Sequence, residues 1–155
     1  MKKFKKKKTL LCSAFPGTGK SYFYTVFGGM DGKVILDSDS STFNKVGFPT
    51  NYIEYIKANI GKADIIFISS HKEVRDALVE EGLEFTLVYP NPFLKIEYIN
   101  RYKTRGNDFS FVKLLETNWI KWMRELTAQK GCFHVLLGTN EYISDKKEIF
   151  GHLLK

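Results

Sequence analysis

Ala14-Phe15-Pro16-Gly17-Thr18-Gly19-Lys20-Ser21 stands between an apolar run of strand length, residues 9–14, and a helical pattern that begins at Gly19. The octet is the G-x-x-x-x-G-K-[ST] pattern with Ala14 in place of its first glycine. Glycines let such a loop turn its amides inward around a phosphate, and a helix starting there adds the positive end of its dipole. Lys20 predicts a point charge near β- and γ-phosphates, and Ser21 a hydroxyl for Mg²⁺. The expected nucleotide contacts are therefore Phe15, Pro16, Gly17, Thr18, Gly19, Lys20 and Ser21. The first position needs a small side chain more than a positive φ, so Ala14 should be accommodated.

Outward from this loop, apolar runs alternate with helical patterns. Strands are expected at residues 9–14, 33–37, 64–69, 84–89 and 133–137, and helices at 19–27, 51–60, 71–81, 91–103, 108–129 and 145–154. Strands separated by helices predict crossover units around a parallel sheet, an α/β fold. Along the longest helix Phe111, Leu115, Trp119, Trp122 and Leu126 form an apolar stripe, so both tryptophans are expected in the core rather than on a base-stacking platform.

The chain has 155 residues with 24 Lys+Arg against 17 Asp+Glu, a formal balance of +7. Six of those lysines lie in residues 2–8, and removing them leaves a body at about +1. No spread of basic residues over a folded face is visible, as duplex recognition would require. Residues 1–8 read as a basic, disordered arm, and residues 9–155 as one domain. The apolar stretch behind the arm is far too short for a membrane span and reads as neither a signal peptide nor an anchor. Two cysteines, Cys12 and Cys132, cannot form a disulfide framework, and they read as reduced thiols of a cytoplasmic protein. His134 and His152 have no partners at metal-ligand spacing, so no zinc site is expected.

Three further groups of residues select among phosphate chemistries. The second strand ends in Asp37-Ser38-Asp39, and alternate residues of an extended chain share a side. Asp37 could then approach Mg²⁺ or act as a base while Asp39 orients an acceptor, although Asp and Ser also make capped turns. The third strand ends in Ser69-Ser70, where many nucleotide-hydrolysing proteins carry a metal-binding Asp, which leaves Asp37 as the metal-side candidate beside Ser21. His71 and Arg75 follow; the planar guanidinium of Arg75 suits an acceptor phosphate, and His71 could be a substrate contact or a helix cap. After strand four, Arg101 and Arg105 lie one helical turn apart in Arg101-Tyr102-Lys103-Thr104-Arg105-Gly106, spaced to neutralise a migrating phosphoryl group or merely to form a solvated basic helix. The predicted transfer residues are Lys20, Asp37, Arg101 and Arg105.

In this order, AFPGTGKS, LDSD, a charged helix after strand three and then RYKTRG resemble the P-loop small-molecule and nucleoside monophosphate kinase superfamily over almost the whole chain. The Asp-x-Asp pair is most similar to that of shikimate kinases, and the Arg-rich segment to the lid of adenylate-kinase-like enzymes. SSHKEVRDAL, EYINRYKTRGN and GTNEYISD also resemble a compact adenylate-kinase-like group found in phages. The resemblance implies a three-layer fold, with a five-stranded parallel sheet in the order 2-3-1-4-5, helices on both faces and a short mobile lid. It further implies Mg²⁺ and ATP as cofactors, transfer of the γ-phosphate to a small acceptor, and Gly138, Thr139 and Asn140 beside adenine. The acceptor expected is a nucleoside monophosphate. The alternative is a nucleic-acid-associated ATP-binding protein, or a polynucleotide 5′-hydroxyl kinase, that uses the lysine arm.

Overall fold

A computed structural model describes residues 8–27, 32–146 and 149. The lysine arm, apart from the exposed Lys8, lies outside the described residues, as do His152 and most of the helix expected at 145–154.

The five expected strands form: β1 (Leu10–Ala14), β2 (Ile35–Asp37), β3 (Ile65–Ser69), β4 (Thr86–Pro90) and β5 (Phe133–Leu137). All pair in parallel, in the order β2-β3-β1-β4-β5. The helices are α1 (Lys20–Phe27), α2 (Thr50–Asn59), α3 (Lys72–Glu80), α4 (Lys95–Thr104) and α5 (Phe109–Thr127). The expected helix at 91–103 is in two parts. Asn91 caps a 3-10 turn over Pro92–Leu94 through its side chain, and α4 starts only at Lys95, because a proline in the first turn supplies no amide to extend an α-helix backwards.

A parallel sheet covered on both faces needs strands that are apolar on both sides, and β3, Ile65–Ser69, is buried along its first four residues. Alternate side chains divide between two cores. Leu11, Ile66, Ile68, Leu87 and Tyr89 face the layer of α2, α3, α4 and α5, where Tyr52, Leu78, Tyr98, Trp119 and Met123 pack on them. Cys12, Ala14, Ile65, Phe67 and Val88 face the other way, against Phe23 of α1 and Ile143. Burial pushes the Cys12 thiol up to about 12, so it packs as a small apolar side chain. Among the described residues no helix is long and apolar enough to cross a membrane.

This topology brings the carboxyl ends of β1 and β3 side by side, with Ala14 paired to Ser69. In open α/β sheets, the crevice outside these ends is the usual place for a ligand.

Candidate functional site

Residues 14–21 leave β1 as a loop whose carbonyls are each held from behind. Phe15 O accepts from Thr18 Oγ1 at 2.7 Å, and Pro16 O from the Tyr102 hydroxyl at 2.8 Å. Gly17 O accepts from Arg101 Nη1 at 2.8 Å, and Thr18 O from the Ile143 amide at 2.9 Å. In a trans peptide the C=O and the following N–H point to opposite sides. Fixing the carbonyls of Pro16, Gly17 and Thr18 therefore aims the amides of Gly17, Thr18 and Gly19 away from α4, and the N-terminus of α1 continues the same concavity.

Two glycines are required here for space as well as for conformation. Gly17 has φ +84°, and a Cβ on it would stand 2.8 Å from the Tyr102 ring; Gly19 has φ +96°, and its Cβ would stand 3.0 Å from Tyr142. Ala14 is different: it is the last residue of β1, fully buried and paired with Ser69 and Val88, so the strand needs only a small side chain there.

The loop forms one wall of a cleft of about 700 Å³, which Lys20 and Ser21 also line. Asp37, Ser38 and Asp39 enter it from the end of β2, and Ser69, Ser70, His71 and Arg75 from the end of β3. Tyr52 holds these two strand ends together, its hydroxyl donating to Ser38 O at 2.8 Å and accepting from the Ser69 amide at 3.1 Å.

The predicted residues divide on inspection. Asp37 and Asp39 do share the cleft. Asp39 also caps its own turn: Oδ1 accepts from the Ser41 amide at 2.9 Å, and that bond holds its carboxyl below the ordinary range. His71 precedes α3 without capping it through its side chain, and it faces the cleft exposed.

Arg75 is not a solvated helix-surface arginine. It is 2% exposed, with Nε donating to Ser70 O at 2.8 Å and Nη1 to Gln129 Oε1 at 2.6 Å. Both partners are neutral; among the described residues Arg75 enters no ion pair, and burial depresses its pKa. A guanidinium desolvated without an ion-pair partner, at the edge of a cleft, is complementary to an anion.

Arg101 and Arg105 do not act side by side. Arg105 lines the cleft, its Nε and Nη2 resting on Asn107 Oδ1 at 3.1 and 3.0 Å. Arg101 lies behind the loop, bonded to Gly17 O, to Glu97 at 3.1 Å and to Glu141 O at 3.2 Å, and stacked between Tyr98 and Tyr142 at 4.3 and 4.0 Å. The helical spacing placed the two arginines one turn apart, but the packing of α4 on the loop turns only the second to the cleft. The segment expected to be a lid is thus mostly α4 itself, anchored by the buried Tyr98, Ile99 and Tyr102, and only the turn at 105–108 is left to stand over the cleft.

Gly138, Thr139 and Asn140 lie on that rear side. The Gly138 amide donates to Glu141 and the Asn140 amide to Glu97, and Ile143 ties the same segment to Thr18.

Missing from the sequence reading is the wall supplied by α5. The buried stripe of that helix is Val112, Leu115, Trp119, Met123 and Leu126. Phe111 and Trp122, which the sequence assigned to the stripe, sit on its flank and join Leu114 and Glu125 in facing the cleft. Periodicity holds a signal for this second row, because residues 111, 114, 122 and 125 recur at helical spacing, but only the packing shows what they face. Trp119 is a core residue as expected, its Nε1–H donating to Pro92 O at 2.9 Å.

No family model, curated protein or solved structure matches the chain.

Proposed function

We propose that the protein is a P-loop kinase that transfers the γ-phosphate of Mg²⁺-ATP to a small acceptor, a nucleoside monophosphate. The observation that carries this reading is the pairing, across one cleft, of a glycine loop with its lysine and a buried guanidinium without an ion-pair partner. A protein that only bound or hydrolysed a nucleotide would need one anion site. Transfer between two phosphorylated molecules needs two, with a shared space between them.

The amides of Gly17, Thr18 and Gly19 fit a phosphate cradle, because an added Cβ at Gly17 or Gly19 would crowd the tyrosines that shape it. Lys20 would neutralise charge on the transferring group, and Ser21 with Asp37 would hold Mg²⁺. Bound Mg²⁺-ATP supplies the phosphoryl group and the electrophilic assistance. Asp37 is the carboxylate placed to take a proton or orient a metal ligand, Arg105 from the 105–108 turn would shield developing charge, and Arg75 would hold the acceptor's anion with Asp39 and His71 nearby.

The test is a coupled ADP-release screen over the nucleoside monophosphates, with shikimate, gluconate and a 5′-hydroxyl oligonucleotide as controls. Turnover confined to one or more monophosphates is the expected result. Turnover with the oligonucleotide alone would move the reading to a polynucleotide kinase. A flat screen beside measurable ATP binding would make the protein a nucleotide sensor, and calorimetry with no heat from Mg²⁺-ATP or Mg²⁺-GTP would remove the phosphate-loop reading altogether.

A further inference from the structure

The α5 wall of the cleft does more than close the core, although Phe111 and Trp122 also pack against the core's edge. α5 already buries a complete stripe in the core, yet a second row, Phe111, Leu114 and Trp122, turns apolar and aromatic surface to the cavity, with Leu114 still 51% exposed. Flat apolar surface inside a concavity is complementary to a planar apolar ligand.

Glu125 continues the same row. Among the described residues its carboxylate has neither a hydrogen bond nor an ion pair, although the buried Arg75 is close enough for the two charges to influence each other. No ion pair joins them; Gln129, just beyond the end of α5, holds Arg75 by its Nη1 instead. One cavity is thus lined by a cation and a carboxylate, with no ion pair between them, beside an aromatic face. A matching ligand carries an anion at one end and, at the other, a flat ring with N–H donors.

A carboxylate offers two oxygens that only accept. Guanine presents adjacent N1–H and 2-amino donors on its pairing edge. Adenine and cytosine present a ring-nitrogen acceptor beside one amino group, and uracil and thymine flank a single N–H with two carbonyls. Only the guanine edge meets both oxygens without setting lone pair against lone pair. We infer that the acceptor is a guanine-type nucleoside monophosphate, its phosphate on Arg75, its ring against Trp122 and its N1–H and 2-amino group on Glu125. This inference rests on the acceptor reading above.

The test is calorimetric titration of the full chain with GMP, IMP and AMP, each followed by tryptophan fluorescence, with Mg²⁺-ATP titrated separately. GMP should bind about ten-fold or more tighter than AMP, with IMP between them because it lacks the 2-amino group. In Glu125→Gln that preference should collapse, GMP affinity falling and AMP affinity holding or rising because the amide can donate to adenine, while the circular dichroism spectrum stays unchanged. The ranking in the unmodified protein stands as a test even if the variant does not fold. AMP or a pyrimidine monophosphate binding as tightly as GMP would overturn the inference and leave the kinase reading standing. Binding of Mg²⁺-ATP with no monophosphate bound would overturn both the inference and the acceptor reading, and absence of all binding would remove the nucleotide reading beneath them.

Discussion

On the glycine-loop wall of the cleft, each carbonyl from Phe15 to Thr18 has a donor behind it. Across the cleft, Arg75 enters no ion pair and Glu125 has no hydrogen-bond partner among the described residues. The first wall is finished without a ligand; its amides are aimed before anything binds, so little reorganisation accompanies binding. Stability and function should therefore be coupled at the residues that hold the loop carbonyls and, on the proposed reading, separable at Lys20 and on the Arg75 side.

The largest expected effect is at Lys20. On the proposed reading, Lys20→Ala should lower kcat/KM by about 10³-fold, the scale of losing a pre-aimed charge in phosphoryl transfer, while the melting temperature hardly moves, because the half-exposed lysine enters none of the ion pairs of the described residues. Next is Arg75→Met. On the kinase reading it should raise the acceptor KM by about 100-fold and leave the unfolding free energy within about 1 kcal/mol of the parent, since the cost of burying the guanidinium offsets most of what its bonds to Ser70 O and Gln129 contribute. A large loss of stability in denaturant melts would break the contrast between the walls.

Arg101→Met should behave in the opposite way. It strips donors from Gly17 O and Glu141 O and leaves Glu97 without its ion pair, so stability should fall by about 2 kcal/mol and Mg²⁺-ATP affinity by about ten-fold. Arg101→Lys should restore little of either, because an ammonium cannot reproduce the forked contacts or the stack between Tyr98 and Tyr142. A kcat defect with unchanged ATP affinity would instead mark Arg101 as acting on the transferring group. Tyr102→Phe removes a single donor, to Pro16 O, and should cost about 1 kcal/mol with a smaller loss of ATP affinity.

The smallest effect concerns Asp39, whose carboxyl is held below the ordinary carboxylate range by the Ser41 amide. A depressed folded value means that the bond's contribution is fully present above the unfolded value and is lost only as pH falls through the lower folded one. The Ser41 amide resonance should therefore stay constant on acidification to about pH 4 and shift only below it. Asp39→Asn should keep the turn, since Asn caps nearly as well, and act on acceptor use if it acts at all.

Much of the fold was legible because its signals are local. Buried runs such as Ile65–Ser69 are apolar whatever they pair with, and the octet at 14–21 states its own geometry through Gly17 and Gly19. Arg101 and Arg105 mark where that legibility ends. The sequence sets them one turn apart on one helix, and only the docking of Tyr98 and Tyr102 against the loop decides that one points behind it and the other into the cleft. Trp122 marks the same limit, because a helix with two adjacent apolar rows does not say which one meets the core.

The order of apolar runs and the chemistry of the glycine loop belong to the chain alone, since backbone conformation and side-chain volume act over a few residues. The strand order, the burial of Arg75 with no ion-pair partner among the described residues, and the placing of Glu125 on one cleft with a loop more than a hundred residues earlier belong to the packed molecule. Those relations exist only once helices from distant parts of the chain share one sheet face, and desolvation and cavity shape arise from that sharing.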